Sequence, residues 1–326
     1  MSQLFVDNIK SRTGGAIGAP SGIVVTGVGT FSGDLSVGGV LTYEDVTSID
    51  SVGIITARSD VSIADKIVHT GDTNTAIRFP AADTFTVETA GSEAIRIDSS
   101  GRLLVGTDTA TTVQGVTAAL QLQTSTYTDI LTKSFASYTG IRLSRANNTP
   151  ASPTIVADGN NLGGLFFHGY DGTDYDCFAG FVQCEVDGTP GSNDMPGRLI
   201  FATASDGAAT ATERLRIDSS GRLLVGTDTS RAVAGVQWNQ QVEGTGNVGV
   251  SVVSNSTSAS TSYLILGKSR GASIGSNTIV NNGDPLGIIF FNGADGDDLG
   301  TAGASVKAEV DGTPGSNDMP GRLVFS

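Results

Sequence analysis

Two phrases of this 326-residue chain each occur twice. The stretch E-V-D-G-T-P-G-S-N-D-M-P-G-R-L-I-F, Glu185 to Phe201, returns from Glu309 to Phe325 with one change, Val324 for Ile200. I-R-I-D-S-S-G-R-L-L-V-G-T-D-T at 95–109 returns at 215–229 with Leu215 for Ile95. The offsets are 124 and 120 residues. They define a tandem module of roughly 120 residues, and self-similarity at a fixed period marks an array of stacked units. The repeats divide the chain into 1–20, 21–109, a first full module at 110–229 and a second, incomplete one at 230–326.

The repeated phrases are strand-like. In 95–105, Ile95, Ile97, Leu103 and Val105 share one side of a hairpin, with Arg96 and Asp98 on the other. Ser99-Ser100-Gly101 makes the turn, and Gly101 supplies the positive φ that such turns need. Arg102 and Arg222 are expected to pair with a carboxylate across the strands. Val182, Cys184 and Val186 alternate with Gln183 and Glu185, and recur as Val306, Ala308 and Val310. Period two with one apolar side is a half-buried strand. The loop D-G-T-P-G-S-N-D-M-P-G is built from turn formers. No segment carries a 3.6-residue period long enough for a stable helix. The fold class is therefore all-β, each module a small sandwich or prism. From Gly22 the chain reads as short strands broken by glycine, too poor in apolar surface to offset the entropy of ordering it alone. Three copies wound together would bury its Val, Ile and Leu and pair its strand edges, so an elongated fibrous homotrimer is expected.

Composition narrows the function. Nineteen Lys and Arg against 33 Asp and Glu leave a net charge of −14. Nucleic-acid binding needs basic surface to displace phosphate counterions, so it is excluded. No apolar run approaches a membrane span. Gly244, Gly246 and Gly249 match a dinucleotide pattern, but V-S-V-V-S-N follows, read as a strand, where the cofactor needs a helix N-terminus. Asp171, Asp174 and Asp176 could offer oxygens to calcium, and Asp171 and Asp174 recur as Asp295 and Asp298, but a solvated turn is the simpler reading. His69 and His168 lack a repeated nucleophile partner. Cys177 and Cys184 lie seven apart on opposite sides of an extended chain and cannot join, and Cys184 reads as a small buried residue. No catalytic, cofactor or metal site is expected.

Three blocks resemble marine bacteriophage tail-fibre and related virion structural proteins, notably those of cyanophages. They are the start S-Q-L-F-V-D-N-I-K-S-R-T-G-G-A-I-G-A-P-S-G-I-V-V-T-G, the stretch Y-E-D-V-T-S-I-D-S-V-G-I-I-T-A-R at 43–58, and the repeated module phrases. The resemblance covers most of 1–109, 162–229 and 234–326. It implies a homotrimer assembled in the host cytoplasm and carried on the virion tail. Its N-terminus would be fixed to a tail adaptor, nozzle or baseplate protein, and a distal region would bind a host surface glycan or protein. A head fibre or capsid decoration protein would use the same modules. A tailspike with glycan-degrading activity would need paired carboxylates in a groove.

The apolar, strand-like start places virion attachment at Leu4, Phe5, Val6 and Ile9, with Gly14, Gly15 and Gly18 as a hinge. At the other end, G-R-L-V-F-S stops at Ser326, where the equivalent of 203–229 would follow. The natural product is expected to continue into that hairpin. The attachment reading predicts that particles carrying Leu4→Asp with Val6→Asp lose their fibres. Particle images with undiminished fibre density would refute it.

Overall fold

The computed structural model describes residues 22–32 and 54–326, so the attachment and hinge residues lie outside the described residues. The chain divides into two units, Met1–Ser62 and Ile63–Ser326. The described residues of the first unit form no strand, and their Ile23, Val24, Val28, Phe31 and Ile54 are exposed. The second unit is all-β, and no helix occurs among the described residues.

Its first sheet is built from β1 (Lys66–His69), β2 (Asp72–Arg78), β3 (Phe85–Thr89), β4 (Ser92–Ile97) and β5 (Leu103–Val105), paired in sequence order and antiparallel. The chain then leaves the sheet, forms a small hairpin from β6 (Thr112–Val113) and β7 (Val116–Thr117), and returns as β8 (Leu120–Leu122), parallel to β5. A two-stranded hairpin, β9 (Asn147–Thr149) with β10 (Ser152–Thr154), precedes the second sheet. That sheet repeats the first. β11 (Asn161–His168), β12 (Phe178–Val186), β13 (Gly197–Thr203), β14 (Thr212–Ile217) and β15 (Leu223–Val225) run antiparallel, and β16 (Gln240–Val242) closes parallel to β15. A third sheet holds β17 (Pro285–Asn292), β18 (Ala302–Val310) and β19 (Gly321–Phe325). Its registers match those of β11–β13 residue for residue, down to the bulge at Phe167/His168 and again at Phe291/Asn292.

The structure extends the repeat beyond what the phrases show. β1–β3 stand to β4 as β11–β13 stand to β14, although their sequences differ. It also corrects one expectation. The long strands of each module form one sheet and not a sandwich, beside small two-stranded hairpins, and the parallel closing strand is supplied by the module that follows.

The hairpin forms for a reason the repeated letters contain. Asp98 Oδ1 accepts from the N–H groups of Ser100 (2.9 Å) and Arg102 (3.0 Å), and Gly101 sits at φ 74°. Asp218, Ser220, Arg222 and Gly221 repeat this, with distances of 3.0 and 2.9 Å and a φ of 76°. Arg102 and Arg222 also pair with those same aspartates, at 2.6 and 2.7 Å, as expected of an arginine facing a carboxylate.

Burial departs from the simple pattern. The apolar residues named for the hairpin remain open: Ile97 is 42% exposed and Leu103 38%. The buried ones are Leu104 (0%) and Leu224 (1%), on the opposite side, opposite Arg96 and Arg216. The crossover accounts for this. Gln121 is in register with Leu104, and its amide accepts from Thr111 N–H (2.8 Å) and donates to the carbonyls of Thr111 and Ala118. Gln241 likewise accepts from Arg231 N–H (3.2 Å) and donates to the Ser230 hydroxyl and the Trp238 carbonyl. The crossover is thereby tied down over that side of the sheet. Cys184 is half-buried and not buried, in a row with Gly163 and Leu199, and neither cysteine is in a disulfide.

The parallel closing strand depends on Gly106 and Gly226, at φ 75° and 74°, where a Cβ would collide with the carbonyl oxygens of Gln123 and Glu243. Gly207 has a similar φ, 78°, but open space around it. Gly226→Ala should cost about 2 kcal/mol or more. Gly207→Ala should cost about 1 kcal/mol from backbone strain alone. Urea unfolding of the two variants checks this, and equal losses would remove the close approach as the cause.

Candidate functional site: an open apolar face backed by a charged lattice

Directly paired residues share a face, so the registers assign both faces of each sheet. In the first sheet one row runs Ile67, Ile77, Val87, Ile95, Val105, Leu122. In the second the matching row is Leu165, Val182, Phe201, Leu215, Val225, Val242. In the third it is Ile289, Val306, Phe325. Every position in these rows is apolar, yet none is buried: Ile67, Ile77, Ile95, Leu165, Ile289 and Phe325 are exposed and the others are half-buried. Among the described residues nine apolar side chains are buried, while fifty large ones are exposed. A monomeric surface rarely carries a contiguous apolar patch of this extent.

The reverse face carries the charges. In the first sheet Arg78 pairs with Asp65 (3.0 Å) and Glu88 (2.8 Å), Arg96 pairs with Glu93 (2.6 Å), and Thr86 lies buried between the two arginines. In the second, Arg198 joins Glu185 (2.6 Å) and Asp187 (2.9 Å), while Arg216 joins Glu213 (2.5 Å). In the third, Glu309 takes both Lys307 and Arg322, and Arg322 reaches Asp311 at 3.0 Å. Arg78, Arg198 and Arg322 each lie between two carboxylates, and Arg96 and Arg216 each grip one carboxylate through two nitrogens, the geometry that suits the planar donors. Lys307 and Arg322 together hold the Glu309 carboxyl below its usual range. For Asp187 burial pushes the other way, but the N–H of Ser219 and the Arg198 guanidinium outweigh it, and the net shift is downward. Asp187 also ties the long loop to the hairpin, since Ser219 N–H donates to it at 2.7 Å.

The acidic turns weighed for calcium are organised by their own backbone. Asp171 Oδ1 accepts from Thr173 and Asp174 N–H (2.8 and 3.0 Å), and Asp295 Oδ1 from Asp297 and Asp298 N–H (3.0 and 3.1 Å). Asp176 Oδ1 accepts from Gln114 N–H at 2.6 Å. Gly244, Gly246 and Gly249 lead into residues with no helix, but also with no strand where V-S-V-V-S-N was expected to form one. Sequence reasoning missed the lattice because Glu93 and Arg96 are three apart, a spacing that suggests opposite sides of a strand. The irregularity between Val87 and Glu88 brings them together.

Comparison with protein-family models and with curated proteins finds no match. Among solved structures, the carboxy-terminal domain of the bacteriophage T5 L-shaped tail fibre is similar at 17% identity and a TM-score of 0.41, covering 59% of this chain and 82% of that one. The same domain with its intramolecular chaperone aligns at 14% identity and a TM-score of 0.40, covering 79% and 82%. TM-scores this low do not establish a shared fold.

Asp187 gives the lattice a pH dependence. Its folded pKa lies below the unfolded value of about 3.9, so its contribution is complete above that value and is lost as pH falls through the folded pKa. Asp187→Asn should lower stability at pH 7 by about 1–2 kcal/mol. It should also flatten the fall in stability below about pH 4. Urea midpoints at neutral and acid pH measure both, and an unchanged acid slope would exclude Asp187 as a contributor.

Proposed function

We propose that this chain is a bacteriophage tail-fibre shaft protein, non-enzymatic, assembled as a parallel homotrimer. The observation that carries the reading is the unbroken apolar face: six-strand rows such as Leu165 to Val242, open in the single chain. Covering them is worth about 1 kcal/mol per side chain, since each is already partly buried. Three such faces turned inward would enclose a common core, with the charged lattices outward in water. A cyclic assembly about the long axis also keeps all N-termini at one end. Residues 1–20 would there hold an adaptor, nozzle or baseplate protein, leaving a distal region for a host glycan or protein. Weak contacts repeated three times add through effective concentration, which suits attachment. The resemblance of the repeated phrases to phage fibre proteins supports the same reading.

Sedimentation equilibrium of the soluble protein at micromolar concentration should give three times the 33.2 kDa chain mass. Leu215→Glu with Val225→Glu, which charges the open face, should shift the protein toward monomer. A monomeric wild-type mass would overturn the assembly, and cryo-electron microscopy of intact particles would decide tail against head.

A further inference from the structure

The two junctions between successive sheets are built on one plan and filled differently. In each, the crossover hairpin of one module meets the loop after the first strand of the next. Gln114 N–H donates to Asp176 Oδ1 (2.6 Å) at the first, and Ala234 N–H to Leu299 O (3.2 Å) at the second. In each, the side chain ending that strand holds the same carbonyl: His168 Nδ1 bonds Tyr175 O (3.0 Å), and Asn292 Nδ2 bonds Leu299 O (2.8 Å). The first junction encloses a cleft of 820 Å³, whose walls include Val116, Ala118, Phe166, His168, Tyr175 and Phe178. At the second, Trp238 stands for Ala118, Leu299 for Tyr175 and Ala302 for Phe178. There the indole donates to Val233 O (2.9 Å), folding over its own hairpin, and Asn292 Oδ1 is shut away from solvent.

One frame thus carries an aromatic cleft between its sheets at the first junction and, at the second, a smaller cleft of 560 Å³ confined to the crossover around Trp238. The rings at the first are clustered, Phe178 lying 4.6 Å from His168 and 5.8 Å from Phe166 between centroids. Phe166 pairs with Phe181, on the same face as Gln183 and Arg216, while Leu122 of the first sheet's apolar row also lines the cleft, which therefore lies between the two sheets and takes residues from both faces.

We propose that the first junction binds a neutral saccharide, with a pyranose ring stacked against Phe178 and Phe166. The volume lies within the range of small-ligand sites, and a mostly apolar wall with a few polar groups is their usual composition. Ring faces carry negative charge and attract the polarised C–H face of a sugar. The imidazole, its Nδ1 held by Tyr175 O, presents Nε2 for a hydroxyl, and Tyr175, Gln114 and Gln123 add polar groups at the rim. Asp171, Asp174 and Asp176 flank Tyr175, a negative field that disfavours anionic sugars. The site does not depend on the fibre reading, because its test measures binding and not location.

Saturation-transfer NMR on the full chain, with methyl glucoside, methyl galactoside, N-acetylglucosamine and sialic acid as probes, tests it. At least one neutral probe should bind with Kd on the order of 1 mM, and sialic acid at least about tenfold more weakly. Ala118→Trp, copying the second junction, should abolish the signal. Tyr175→Leu with Phe178→Ala should weaken binding at least about tenfold. Trp238→Ala should leave it unchanged. These first-junction replacements already occur at the matching positions of the same chain, and retained far-ultraviolet circular dichroism verifies folding. No transfer to any neutral probe at about 10 mM would overturn the proposal. So would transfer indifferent to both first-junction variants, or binding of anilinonaphthalene sulfonate alone.

Discussion

A one-layer sheet has two faces, and this chain covers only one of them with its own backbone. The crossover that carries β5 to β8, and β15 to β16, is pinned to Gln121 and Gln241 and seals Leu104 and Leu224 beneath it. Everything else follows from which face was sealed. The charged residues lie there, half-buried, and must be paired because an unpaired charge at that depth is costly. The apolar rows lie on the other, which the described residues leave exposed or half-buried.

The forked arginines do more than neutralise. Arg198 binds Glu185 beside it and Asp187 at the root of the long loop, and Asp187 reaches on to Ser219 in the next hairpin. One guanidinium and one carboxylate thus link β12, β13 and the root of the long loop to the next hairpin. The third sheet repeats the fork at Arg322 with Glu309 and Asp311. Interactions that join distant segments in this way set the register of a sheet, which local propensity alone leaves free.

Much of the fold was legible in the letters. The repeat, the all-β class, the hairpins and their positive-φ glycines follow from period and turn chemistry. Which face would be open did not, because alternation reports that two faces differ, not which is covered. Ile97 and Leu103 looked like core and Leu104 did not, since the deciding contact comes from a crossover glutamine 17 residues on. The shared architecture of β1–β3 and β11–β13 was invisible because strands tolerate almost any residues that keep the alternation. The aromatic junction was hidden differently: its residues were all aligned in the repeat, but only geometry brings 118 and 178 to one place.

Identical phrases spaced a module apart create a hazard of misalignment. Two chains lying side by side could match the second sheet of one to the third of its neighbour with almost every apolar row still satisfied. The strands alone would not object, since β11 to β13 and β17 to β19 share their registers. A shift that matches the second sheet to the third also sets the first against the second, where Ile67, Ile77 and Val87 stand in the places of Leu165, Val182 and Phe201. In a side-by-side assembly those departures from repetition would favour one alignment of a chain made of near-copies.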